Sequence, residues 1–235
     1  MSRYVIDSQG LKENIEYIKE KAGVPVIGVV KGNGYGFGIC ELTKVLLENG
    51  IKAFAVTEVT DIPVLKEILS DENDILIMRS TCIEAEAKII AENGCIATIG
   101  SSEACRIMNE VSKKLGVKTK CHLKIDTGMG RYGFMPSQIQ EAIDCYKASN
   151  LEFCGIYTHF SSAFRNAELT KAQLTIFKDC ISQIQKAGYE TGVAHCSNSP
   201  ALLNVDGVSM DAVRIGSAFT GRVIIKSKTP LHRLG

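Results

Sequence analysis

Short β-branched runs alternate with longer amphipathic segments along the whole chain, in an order that hardly varies from end to end. The runs fall at residues 24–31 (VPVIGVVK), 53–57, 74–79, 96–101, 121–127, 153–160, 192–198 and 212–218. Each is almost continuously apolar, the pattern of a strand covered by helices on one side and packed against other strands on the other. Helical periodicity fills the intervals at residues 39–49, 58–69, 83–93, 102–115, 136–149 and 167–187, with Gly50, Gly94, Gly116 and Gly188 where helix ends belong. Eight strands alternating with helices predict an α/β fold, a closed (β/α)8 TIM barrel; an open doubly wound sheet with an extra leading helix is the other arrangement this order allows. Residues 9–21 read as a helix ahead of the first strand and nothing helical follows the eighth. The N-terminal helix is therefore expected to take the place of the last barrel helix. The barrel is expected over residues 1–221. Residues 222–235, with a strand-like RVIIK and then Pro230, are expected to begin a linker or strand toward a further domain.

Composition narrows the class without adding chemistry. At 235 residues, 45% hydrophobic and 23% charged, the chain is an ordinary globular protein large enough for one α/β domain. Lys+Arg 27 against Asp+Glu 26 leaves a formal charge of +1, so no field of one sign draws the whole molecule to nucleic acid or an anionic membrane. The nine cysteines are scattered, with no Cys-x-x-Cys pair and no histidine at zinc spacing, and read as buried free thiols rather than a metal site. The first twenty residues lack the apolar stretch of a signal peptide, and no apolar run approaches the ~20 residues that span a bilayer. A reducing, cytoplasmic location without membrane insertion is expected.

In a β/α barrel the active site lies at the C-terminal ends of the strands. Read in order, those ends carry Lys31, Thr57 with Glu58, Arg79, Ser101, Lys124 through Arg131, His159, Asn198 with Ser199, and Arg214. So basic a set points to an anionic ligand, a phosphate or a carboxylate. Lys31 ends the most apolar strand, where partial desolvation favours the neutral amine and makes it a nucleophile for a carbonyl; a lysine that snorkels out of the barrel mouth fits the position equally. The glycines of GNGYGFG let the backbone approach a ligand but match neither G-x-G-x-x-G nor a GK[ST] loop. Tyr35, between them, serves equally as a wall or a catalytic group. In HLKIDTGMGRYGF a strand ends, glycines bend the chain, and Arg131 is presented from the turn close to Lys124, so that two cations call for an anion between them. His159 ends a strand. Asn198 and Ser199 precede a short helix, and Arg214 is followed by Gly216 and Ser217, at the seventh and eighth ends where this architecture usually holds a phosphate. His122 and His195 read as core or strand residues, and His232 belongs to the tail.

Together these segments resemble the pyridoxal-phosphate-dependent alanine racemases of fold type III. VVKGNGYGFG resembles the family's cofactor-lysine motif, KIDTGMGRYGF its mid-barrel arginine motif, GIYTHFSSA its histidine strand, and NSPALL with VRIGSAFTG its phosphate-binding ends, over nearly the whole chain to about Gly221. The resemblance implies an isomerase that interconverts L- and D-alanine with pyridoxal 5'-phosphate for cell-wall precursors, with an amino acid as substrate and a possible homodimer. It implies that Lys31 holds the cofactor's aldehyde as an imine and acts as one of two bases, and that Arg214 faces the pyridine nitrogen. Ser199, Gly216 and Ser217 would hold the phosphate beside Tyr35, Asn198 would join the cofactor site, and His159 would line the ring. Arg131 would stand near the cofactor's phenolic oxygen and the substrate carboxylate. Lys124 matches a position that in relatives can carry a carbamate. The family's opposite-face base is a tyrosine of a second domain, contributed by the partner subunit, and relatives acting on serine share these motifs. Two further readings stay open at this point: a single-domain vitamin B6 binding protein without racemase activity, and a barrel for another phosphorylated metabolite.

Overall fold

The computed structural model describes residues 7–225 and 228–234. Eight parallel strands, β1 (Val26–Val29), β2 (Ala53–Val56), β3 (Asp74–Ile77), β4 (Ala97–Ile99), β5 (Thr119–Lys124), β6 (Leu151–Tyr157), β7 (Val193–His195) and β8 (Val213–Ile215), form two four-stranded sheets ordered β3-β2-β1-β8 and β4-β5-β6-β7. Backbone bonds join the sheets at both seams. Ile77 N–H donates to Ile96 O at 2.9 Å between β3 and β4, and Asp211 N–H to Ala194 O at 3.0 Å between β7 and β8. Every strand thus has a neighbour on each side, the barrel arrangement rather than the open sheet.

The helices are α1 (Ser8–Ala22), α2 (Ile39–Glu48), α3 (Ile62–Lys66), α4 (Glu84–Glu92), α5 (Ser102–Leu115), α6 (Ile139–Cys145), α7 (Ala167–Lys186) and α8 (Ser199–Asn204). Asp7 caps α1 by accepting from Gln9 and Gly10 N–H, and Gly23 ends it in the left-handed conformation. Leu11, Ile15 and Ile18 bury one face, each stabilising by about 1.5–3 kcal/mol. From the same helix the buried Asn14 amide donates to Phe219 O at 2.9 Å and His232 O at 2.8 Å, and its carbonyl accepts from His232 N–H at 2.7 Å. These bonds fix α1 beside the chain leaving β8, the position of the missing eighth barrel helix. No helix among the described residues is long and apolar enough to cross a membrane, and all nine cysteines are free thiols.

Two expectations are corrected. Residues 58–69 are not one helix: a 3-10 turn (Val59–Asp61) precedes α3, because Pro63 lacks an N–H and fits only a first turn. Residues 136–149 likewise split into a 3-10 turn at Pro136–Gln138 and the shorter α6. Residues 222–225 run without regular secondary structure. Residues 1–6, Lys226, Ser227 and Gly235, part of the expected barrel and linker spans, lie outside the described residues.

The barrel interior is divided. From β1 to β4 the inward set is apolar apart from Thr98, whose hydroxyl meets Tyr157 OH at 2.9 Å: Ile27, Val29, Ala55, Leu76 and Ile96 pack together with Ala212. From β5 to β8 the alternating positions bring His122, Lys124, Tyr157, His195 and Arg214 into mutual contact instead. This polar half opens into the site.

Candidate active site

Lys31 follows directly on the apolar β1 end. Beyond it Gly32, Asn33, Gly34 and Tyr35 all take positive φ, between 52° and 61°, so the chain makes a left-handed turn. Glycine tolerates this; Asn33 and Tyr35 each bear about 1–2 kcal/mol of strain. The turn is held by Gly36 N–H donating to Gly32 and Asn33 O, and by the Asn33 side chain accepting from Ile39 N–H at 3.0 Å. It places the Lys31 amine and the Tyr35 ring on one cavity. Burial, then the nearby Arg131 charge, lowers the Lys31 pKa, which favours the neutral, nucleophilic amine.

The turn after β5 is built on one carboxylate. Asp126 Oδ1 accepts from Gly128, Met129 and Gly130 N–H, and Oδ2 from Arg131 N–H at 2.9 Å. Burial pushes the Asp126 pKa up, but these four bonds outweigh it and hold the carboxyl below its usual range. Arg131 projects from the turn with its guanidinium 5.1 Å from the Tyr132 ring centroid. Lys124 lies beneath, 2% exposed, donating to Ile125 O at 2.9 Å and Tyr132 O at 3.3 Å. Burial drives its pKa down to about 7, against the raising effect of Asp126.

Arg214 is sealed at the barrel centre. Nη1 donates to His195 Nδ1 at 2.7 Å and His195 O at 3.0 Å, while Nη2 reaches Thr158 O at 2.7 Å and Cys196 O at 3.3 Å. The guanidinium lies 4.9 Å from the Tyr157 ring centroid. Both terminal nitrogens are thus engaged by protein acceptors. Because arginine only donates, His195 Nδ1 must accept, so Nε2 carries the proton and gives it to His122 Nδ1 at 2.8 Å. Both tautomers are thereby fixed as neutral. Burial and the Arg214 charge lower His122 to about 3 and hold His195 and His159 well below the usual histidine range. His122 fits because Gly155 opposes it: a Cβ there would lie 2.4 Å from His122 Nε2.

Across the cavity, Ser199 Oγ accepts from Gly216 N–H at 3.2 Å and Ala218 N–H at 3.3 Å, joining the α8 start to the β8 end. Asn198 caps α8 by accepting from Ala201 N–H, and its Nδ2 lies 3.3 Å from His159 Nε2. The Tyr35 hydroxyl packs against Gly216, where a Cβ would come within 2.1 Å of it.

The cavity holds about 310 Å³, and Lys31, Tyr35, Arg131, His159, Asn198, Ser199, Arg214, Gly216 and Ser217 all border it. No Asp or Glu among the described residues does. Thr57 joins the wall, but Arg79 turns aside to pair with Glu86 at 2.8 Å and Glu58 at 3.4 Å, and Ser101 caps α5. Sequence reasoning passed over Tyr132 and Tyr157 of the wall and the His195–His122 support of Arg214. Gly155 inside a strand run was the signal available for the last, since glycine there marks a close approach.

A family model described as alanine racemase, N-terminal domain, matches residues 6–223. The chain belongs to the alanine racemase family. Among curated members, the alanine racemase of Methanococcus maripaludis is 31% identical over 221 residues, 92% of this chain and 59% of that protein. The alanine racemase of Clostridium difficile superposes with a TM-score of 0.88 at 28% identity, over 95% of this chain and 60% of the other. That of Bartonella henselae, with covalently bound pyridoxal phosphate, superposes at 0.87 and 24% identity over 97% and 66%, a likeness of fold. The chain therefore spans about 60% of the length of these alanine racemases.

Proposed function

We propose that this chain is the cofactor-binding barrel of a pyridoxal 5'-phosphate-dependent alanine racemase, interconverting L- and D-alanine for cell-wall precursors in the cytoplasm. The observation that carries the reading is a cavity bordered by three cations, Lys31, Arg131 and Arg214, and by no carboxylate, with the lowered-pKa amine of Lys31 on its wall. The residues fit the cofactor chemically: a nucleophilic amine for an aldehyde, a buried guanidinium that can only donate for an acceptor nitrogen, and the Ser199–Gly216–Ser217 cradle with Tyr35 for a phosphate. When bound, the cofactor withdraws electrons from the amino acid's α carbon so that its proton can leave.

The chain's own residues do the rest. Lys31 would hold the aldehyde, losing water, and, once the substrate's amine displaced it, its freed amine would carry a proton to or from the α carbon. Arg214 has donors only, so it would hold a ring nitrogen set against it unprotonated and so would limit how far negative charge spreads into the ring. Arg131 orients the substrate carboxylate, His159 lines the ring as a neutral imidazole, and Asn198 holds His159 in place. A carbamate on Lys124, made from its neutral amine and carbon dioxide with loss of a proton, would turn that side chain into the anion facing Arg131. The opposite-face base and a homodimer partner come from outside the barrel.

Titrating the chain with pyridoxal 5'-phosphate should produce a visible absorbance band that Lys31→Ala abolishes. D-alanine formation should appear when the longer relatives' second domain is supplied. A chain that takes up none of the cofactor overturns the reading.

A further inference from the structure

Gln173 lies on α7, does not border the cavity, and is 1% exposed. Its Oε1 accepts from the Ser161 N–H and hydroxyl, both at 3.1 Å, and its Nε2 donates to Thr127 O at 3.3 Å. Thr127 opens the turn that presents Arg131, and Ser161 follows His159 by two residues and borders the cavity. Asp126 fixes the Arg131 turn from within, and Asn198 Nδ2 reaches Phe160 O at 3.4 Å on the far side of the His159 loop. Gln173 ties the two loops to each other from behind. A terminal amide can accept and donate from one end; an ionised carboxylate only accepts, and a thioether does neither usefully. Removing the amide leaves buried groups of both loops without a partner.

We infer that Gln173 is a positioning residue that locks the Arg131 turn and the His159 loop into one rim, so that the cavity's cations are ordered from the helix behind them. Its effect on ligand capture rests on the reading given under Proposed function; the mechanical coupling does not.

The test uses hydrogen exchange of the whole chain carrying Gln173→Met or Gln173→Glu, at about pH 8.5 so that the carboxyl is ionised. Gln173→Met should speed exchange about tenfold at residues 127–131 and 159–163, the factor expected for a lost buried hydrogen bond, and leave the barrel strands unchanged. Gln173→Glu keeps the acceptor for Ser161 and loses the donor to Thr127, so only residues 127–131 should accelerate. Uniform acceleration throughout the barrel, or none in either variant, overturns the inference. A second arm measures pyridoxal 5'-phosphate uptake. If the unaltered chain takes up none, the functional reading fails and the exchange result alone decides the coupling. If it does, Gln173→Glu should weaken uptake several-fold with Arg131 present and add nothing in an Arg131→Ala background; equal losses in both backgrounds overturn the positioning role.

Discussion

Lowering the pH from 7 to 5.5 should destabilise this barrel sharply, because the buried His122 and His195 and the half-buried His159 resist protonation in the folded state. Arg214 donates to His195 and His195 to His122, so a proton on either ring has no acceptor and faces a guanidinium. His159 stands 3.4 Å from Arg214 Nη2 and is also held well below the usual range by burial and that charge. In the unfolded chain all three titrate near pH 6.5. As the pH falls through 6.5 the unfolded state binds protons that the native state refuses, so stability is present above that pH and lost below it. Together the three histidines contribute roughly 3–4 kcal/mol between pH 7 and 5.5, a large part of the ~5–15 kcal/mol that a typical fold has. Urea unfolding at both pH values measures the difference, in a range where most carboxylates remain ionised. Equal unfolding free energies at pH 7 and 5.5 would refute the neutral-histidine assignment.

Other consequences can be checked alongside. Gly155→Ala drives a methyl into His122 in a sealed interior and should cost about 3 kcal/mol or more in urea unfolding. Asp126→Ala removes the acceptor of four backbone N–H groups and should cost about 2 kcal/mol, with faster proteolysis at residues 127–131. Lys124 loses its proton near pH 7 when folded but keeps it to about 10.4 when unfolded, so stability should rise from pH 7 to 8.5 by up to about 1.4 kcal/mol per unit; Lys124→Met should flatten that slope.

Much of the site was legible because barrel topology converts strand ends into neighbours. Lys31, Arg131, His159, Ser199 and Arg214 are far apart in sequence, yet the alternation of strands and helices alone places them around one mouth. What the pattern hid was direction within the strands. An apolar run buried on both faces does not say which residues point inward, so the pattern leaves Tyr157 unmarked and lets His122 and His195 read as core or strand residues. Gly155 carried that information: with Cys154 as the extra residue in the β5–β6 pairing, it leaves room for an imidazole. The long helix expected at residues 58–69 failed on Pro63, whose ring allows only a first-turn position. Gln173 could not be found from its sequence context, since a glutamine in an amphipathic helix is ordinarily a solvent-facing residue.

Reducing the chain with borohydride in the presence of pyridoxal 5'-phosphate, then mapping the modified peptide by mass spectrometry, puts the central assignment to its most direct trial. The expected product is a single pyridoxyl group on Lys31, lost when Arg214 and Ser199 are both replaced by alanine. Labelling spread over exposed lysines, with Lys31 no more modified than the rest, would contradict it.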